Sequence, residues 1–331
     1  MQQETGSDYI IYRNAVPGHV EGVRLSDYAI GIFPGLITRS GLKKAIKRGE
    51  IFVEGSLAVT ATLLYPGCRI EWRKPEYIPA KTYKISLEVV YEDDHLAVVN
   101  KPAGISVSGN RFDTVENALT AHLHRSALED ALPVARAIHR LDKPTSGLLV
   151  VAKTRSARVM LGQMFERKEF RKGYQALVIG KTPERGAFTD AIQGKEAITS
   201  YECVAAVPSL VSGYLSLLDL YPETGRNHQI RIHLSQAGFP ILGDKTYGDP
   251  GFMLRGKGLF LSAVRLEFRH PVTGEELGFN LDTPLKFRRF MEGERKRWEK
   301  YGGRSGNPVK DITVNGIEGS VFPDDACNMD E

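Results

Sequence analysis

His139-Arg140-Leu141-Asp142-Lys143-Pro144-Thr145-Ser146-Gly147 runs directly into Leu148-Leu149-Val150-Val151-Ala152. An apolar run of that length, bounded by turn residues, reads as a strand covered on both faces. The loop that enters it is then held at a fixed height, with one carboxylate, Asp142, set between an arginine and a Thr-Ser-Gly turn. A carboxylate in that setting either ties its own loop through backbone N–H groups or does chemistry. The loop alone leaves both readings open.

Downstream, Thr154 can cap a helix whose Met160, Leu161, Met164 and Phe165 form an apolar stripe expected to pack into the core. Upstream, Leu87 to Tyr91 and Leu96 to Asn100 read as strands around a Glu92-Asp93-Asp94 turn. Further strand-like runs at 174–179, 214–220 and 259–268 outnumber the helical ones. Residues 85–300 are therefore expected to form an α+β domain on a mostly antiparallel sheet. The charged segment beyond Pro284 (Arg288-Arg289, then Glu294 to Trp298) reads as a terminal helix. Residues 301–331 read as a weakly ordered tail, to which no function is assigned.

Residues 20–74 form a second unit, between an extension at 1–19 and a proline-punctuated linker at 75–84. Its centre, Thr38 to Gly49, reads as a short helix with Thr38 or Ser40 at its start and a left-handed Gly49 at its end. Leu42 and Ile46 face inward; Arg39, Lys43, Lys44, Lys47 and Arg48 face out. Two strand signals follow, Ile51-Phe52-Val53 and Arg69-Ile70-Glu71-Trp72, the first ending in a Glu54-Gly55 turn. Taken alone, five basic residues read as a solvated helix face. Backed by a small sheet, they match the footprint of a phosphate-backbone binder.

The 331-residue length suits two domains with their own cores. No stretch approaches the ~20 apolar residues of a membrane span, and the start MQQETGSDYIIYR lacks the pattern of a signal peptide. Cys68, Cys203 and Cys327 are scattered and odd in number, which argues against a disulfide framework and a Cys-rich zinc site. A cytoplasmic protein is expected. A net charge of +4 permits nucleic-acid binding without demonstrating it.

A second dense motif is Glu223-Thr224-Gly225-Arg226-Asn227-His228-Gln229-Ile230-Arg231-Ile232-His233-Leu234. His228 and His233 are five apart, not at the i, i+4 spacing of a helical metal pair, so no metal is expected. The histidines and Gln229 read as hydrogen-bonded framework. Arg226 and Arg231 remain candidate partners for phosphate or carboxylate, which guanidinium binds as a fork. A third segment, Phe170 to Gly180, places Tyr174 at a strand start behind Arg171 and Lys172. A tyrosine there usually packs.

These segments together resemble the RluA-type RNA pseudouridine synthases. The matching pieces are Asn100-Lys101-Pro102-Ala103-Gly104, the run from His139 to Lys153, Lys172-Gly173-Tyr174-x-Ala176, Lys195 to Tyr201, Thr224 to Leu234, and Gly238 to Gly248. They cover roughly 85–285 in the family's order. Leu261-Ser262-Ala263 departs from the usual Leu-His-Ala. Residues 20–74 resemble the small RNA-binding domain named after a small-subunit ribosomal protein (S4-like), with Val53-Glu54-Gly55 where Val-Asn-Gly is usual.

The resemblance implies that Asp142 is the catalytic carboxylate, that Tyr174 stacks on the target base and that Arg231 pairs with Asp142. Arg140 would fill the space left by the departing uridine. Arg226 and the basic helix residues Arg39, Lys43, Lys44, Lys47 and Arg48 would bind RNA. The reaction breaks an N-glycosidic bond, turns the uracil and rejoins it through carbon, so the resemblance implies neither cofactor nor metal. An arginine within ~4–6 Å would favour the charged form of the aspartate in a water-poor pocket. Large-subunit ribosomal RNA is the expected partner, acted on by a monomer with no obligate protein partner and no membrane. Transfer RNA remains open, as does a ribosome-associated RNA-binding protein without the chemistry. A third alternative is a carboxylate-based N-glycosidase. Glycoside hydrolases normally need a second carboxylate, and the surroundings of Asp142 offer basic residues instead.

Overall fold

The structure is a computed structural model that describes residues 2–5, 9–33, 36, 38–75, 82–249, 251 and 256–302. The chain divides into two units, Met1–Ala80 and Lys81–Glu331. Most of the expected linker at 75–84 and nearly all of the tail at 301–331 lie outside the described residues.

The first unit contains β1 (Gln2–Thr5), β2 (Tyr9–Ala15), β3 (Val23–Arg24), α1 (Leu25–Tyr28), α2 (Arg39–Lys47), β4 (Ile51–Val53), β5 (Ser56–Leu57), β6 (Leu63–Leu64) and β7 (Arg69–Pro75). Its main sheet has the order β1-β2-β7-β4-β5, and β3 pairs with β6. Thr38 caps α2, its hydroxyl accepting from the Gly41 amide at 3.1 Å. Leu42, Ala45 and Ile46 bury one stripe of the helix against Ile51, Ile70 and Trp72. The five cations point outward, but two are already engaged: Arg39 pairs with Asp27 and Arg48 with the buried Glu50. The Glu54-Gly55 turn has both residues at positive φ (48° and 78°), the geometry that matches the twist of a two-residue hairpin. The expected extension at 1–19 supplies two strands of this sheet. There, β2 pairs along its length with β7, and Tyr12 stacks on Trp72 at 5.2 Å.

The second unit contains β8 (Glu88–Glu92), β9 (Leu96–Lys101), α3 (Val115–Leu119), β10 (Ala131–Ala137), β11 (Ser146–Thr154), α4 (Arg155–Glu166), β12 (Arg171–Ile179), β13 (Arg185–Phe188), β14 (Thr199–Ser209), β15 (Gly213–Pro222), α5 (Gln229–Gln236), β16 (Leu261–Arg269), β17 (Glu276–Asn280) and α6 (Leu285–Tyr301). The main path of its sheet is β13-β14-β15-β12-β16-β11-β9-β8, with β10 added to β11 and β17 to β16. Every pairing between these strands is antiparallel except β11 with β16. The mixed sheet with helices bears out the α+β expectation for this part of the chain.

The unbroken apolar run is explained by two-sided cover. Leu149 and Val151 pack with Val115 and Leu119 of α3. Leu148, Val150 and Ala152 pack with Ala157 and Leu161 of α4. Thr154 caps α4 by accepting from the Ala157 amide at 3.2 Å. One expectation needs correcting: Met160 is 39% exposed. Met160 lies at the edge of the stripe: Ala157 and Leu161 are buried at its centre, and Met164 and Phe165 pack partly against the same core.

Candidate active site

Residues 138–145 leave β10 and enter β11 as a loop tied from beneath. Leu141 is buried in the core shared with α3. The Thr145 amide donates to the Asp142 carbonyl at 3.0 Å, and the Gly104 amide to the Lys143 carbonyl at 2.7 Å. Below the loop, the ammonium of Lys101 donates to the carbonyls of Pro102, Thr145 and Lys143 at 2.9, 2.6 and 3.3 Å. Burial pulls the Lys101 pKa down to about 8, against the upward pull of nearby Asp142.

The Asp142 side chain is 17% exposed, and its Oδ2 lies 3.2 Å from Nη1 of Arg231. Arg231 sits in the first turn of α5 and is itself held. Its Nε and Nη2 donate to the two oxygens of Asp244 at 2.7 and 2.8 Å. Asp244 also accepts from the amides of Thr246 and Tyr247. Burial alone would neutralise this pair. The hydrogen bonds and opposite charges outweigh it, raising the pKa of Arg231 and lowering that of Asp244. The guanidinium facing Asp142 is therefore fixed in both place and charge.

His228, the residue before α5, has φ 57° and sets its Nε2 3.7 Å from Asp142 Oδ2. Its Nδ1 lies 3.0 Å from the Tyr247 hydroxyl. Tyr174 of β12 lines the same cleft. Burial first, and the Asp142 charge second, push its phenol up to about 12, so it remains a neutral ring. The cleft has a volume of about 460 Å³, and its walls include Arg140, Asp142, Lys172, Tyr174, Arg226 and Arg231.

The structure thus gathers Asp142, Tyr174, Arg231, Arg140 and Arg226 into one cavity. Arg226 also donates to the Glu196 carbonyl at 2.9 Å. Arg39, Lys43, Lys44 and Lys47 share an exposed face of α2 in the other unit, while Arg48 is committed to Glu50. Gln229 and His233 are framework as expected. Gln229 bonds Thr224, the Arg226 amide, Ile198 and Thr199, and His233 bonds Thr199 and the Asp190 carbonyl. His228 is hydrogen-bonded too, to the Tyr247 hydroxyl, and in addition lies beside Asp142. Sequence reasoning also missed Lys101 and Asp244, although both lie in motifs it had marked. Ser262, where the resembled family has histidine, accepts from the Ser146 hydroxyl at 3.1 Å.

A family model described as RNA pseudouridylate synthase matches residues 95–236. An uncharacterized RNA pseudouridine synthase of Aquifex aeolicus is 32% identical over 296 residues, covering 81% of this chain and 92% of the relative. A ribosomal large subunit pseudouridine synthase D of Vibrio parahaemolyticus is 33% identical over 325 residues, covering 88% and 97%. A dual-specificity RNA pseudouridine synthase RluA of Haemophilus influenzae is 35% identical over 211 residues, covering 59% and 92%. Among solved structures, human RNA pseudouridylate synthase domain containing 1 matches with a TM-score of 0.50 at 27% identity, covering 60% of this chain and 84% of that one.

Proposed function

The chain belongs to the RluA-type RNA pseudouridine synthases, and on that premise we propose that it isomerises particular uridines of large-subunit ribosomal RNA with Asp142 as the catalytic carboxylate. The observation that carries this reading is the 3.2 Å contact between Asp142 and an arginine clamped by Asp244, inside a cleft of about 460 Å³.

The target nucleotide leaves its stack, at a cost of a few kcal/mol. Stacking on the neutral Tyr174 ring returns roughly 1–3 kcal/mol of that. Arg140, exposed on the cleft wall, fills the gap in the RNA. Asp142 acts beside the sugar as nucleophile or general base. The bond from C1′ to N1 breaks, the uracil turns, the bond from C1′ to C5 forms, and the proton on C5 is released as N1 gains one. No electrons leave the substrate. Arg231 steadies the aspartate without moving, and Arg226 lines the approach.

Residues 20–74 serve as the RNA-binding domain and 85–300 as the catalytic domain. The capped basic helix α2 supports the first assignment. The relative from Vibrio parahaemolyticus, named for the ribosomal large subunit and matched over 97% of its length, supports the target. The scattered thiols support a cytoplasmic setting.

The test is carbodiimide mapping of total RNA from a deletion strain complemented with wild type or Asp142→Asn. Wild type restores pseudouridine at discrete large-subunit positions, and the variant restores none while still binding the RNA. Retained conversion by the variant removes Asp142 from its role. Restoration only in transfer RNA moves the target, and release of free uracil replaces the isomerase with an N-glycosidase.

A further inference from the structure

Lys172 is a half-buried cation of the cleft with no counter-group among the described residues. It lies on β12 two residues before Tyr174, hence on the same side of the strand, and both line the cavity. The other well-buried cations of this unit are matched. Lys153 has Glu92 at 2.6 Å, Lys101 has three carbonyls, Arg231 has two carboxylates, and Lys286 has the carbonyls of Gly258 and Leu259. Exposed Arg171, the next residue, reaches Glu267 at 4.0 Å. Half-buried Lys172 has, among the described residues, only the face of Phe165, 5.0 Å from its Nζ. That ring stacks on His139, which burial and the Lys172 charge hold neutral with a pKa of about 4.

A partly desolvated ammonium costs free energy until an anion or dipole meets it. Asp142 is already matched by Arg231. Uracil is uncharged at neutral pH, so the charges that an RNA nucleotide brings to a cleft are its phosphodiesters. We propose that Lys172 binds the phosphodiester next to the everted nucleotide, a subsite that fixes which way the strand threads past Tyr174. This rests on the reading of the cleft as a nucleotide site.

The test uses the full chain with Asp142→Asn, so that RNA is bound without conversion. Its probe is a hairpin RNA spanning a uridine mapped as above. Each phosphate flanking that uridine is replaced in turn by an uncharged methylphosphonate, against a charged control with the same 2′-deoxy sugar. We expect one replacement to weaken binding about tenfold, as loss of a charge-assisted contact does. Adding Lys172→Met, which keeps the stem on Phe165, should weaken binding to the control RNA equally and abolish sensitivity to that one replacement. Lys172→Arg should restore the sensitivity. Equal sensitivity to both replacements with lysine or methionine at 172, at matched thermal midpoints, overturns the proposal; contact with a base carbonyl would give that result. A wrong catalytic assignment shows itself separately, as turnover by Asp142→Asn.

Discussion

Lys101 has no exposed surface and commits its three N–H donors to three carbonyls beneath the Asp142 turn. Its pKa of about 8, set chiefly by burial, lies close to working pH. A neutral amine keeps only two donors, so one carbonyl under the turn loses its partner. Turnover at saturating RNA should therefore fall as pH rises through about 8, and Lys101→Arg, which stays charged, should lack that limb. Stability runs the other way. The folded value lies below the 10.5 of an unburied lysine, so between about 8 and 10.5 the unfolded chain holds a proton that the folded chain has lost. This group's cost to stability shrinks across that window, and a urea series paired with the rate profile should separate the two trends. A rate that stays flat to pH 10 contradicts the argument. Asp142 and Arg231 were legible through the motifs that carry them. Asp244 was not, because its contact with Arg231 is made across the turn after α5, and spacing alone does not say which carboxylate meets which guanidinium. His228 holds its framework place on the Tyr247 hydroxyl, but its approach to Asp142 was not legible, because its left-handed backbone, not its position in the motif, turns the ring that way.

Strand β11 shows what an element must supply for the loop ahead of it to work. Its apolar run was readable because both faces are covered, by α3 and α4, leaving no alternation to confuse with a surface strand. Less readable was the parallel pairing with β16, which begins where the loop ends, at Ser146 with Ser262 and Gly147 with Ala263. That pairing makes Gly147 obligatory. Its φ is +114°, and a Cβ there would lie 2.1 Å from the Ala263 carbonyl oxygen, a backbone atom with nowhere to go. Gly147→Ala should destabilise the fold by about 3 kcal/mol or more, since strain at a positive φ and overpacking against backbone add. The measurement is the urea midpoint, and an unchanged midpoint would show that the two strands separate freely. The Met160 error belongs to this scale too. Of the four apolar residues at 160, 161, 164 and 165, Leu161, Met164 and Phe165 pack against the core as a stripe should, and only Met160 falls at its exposed edge.

At the scale of the whole molecule, the net charge of +4 says little, because acids are spread among the bases. What counts is which cations the fold leaves uncommitted. On α2 the sequence offers five as one face, and the structure divides them. Arg39 faces Asp27. Arg48 is locked to Glu50, which also accepts from the Trp72 indole at 3.1 Å inside the core. Lys43, Lys44 and Lys47 project from the exposed face with no ion-pair partner among the described residues. If α2 reads the RNA backbone, those three carry the salt dependence and Arg48 carries the fold. Each phosphate neutralised contributes roughly 0.7–0.9 to the slope of log affinity against log salt. Replacing all three lysines by glutamine should therefore flatten that slope by about 2, while kcat at saturating RNA stays within about twofold, because the cleft is lined by the other unit. Arg48→Gln should do the opposite, lowering the thermal midpoint and barely touching the slope, since it strips the partner from a carboxylate that is only 7% exposed. A triple variant with an unaltered slope would make α2 a solvated helix face, and the phosphate contacts would then have to come from the catalytic unit.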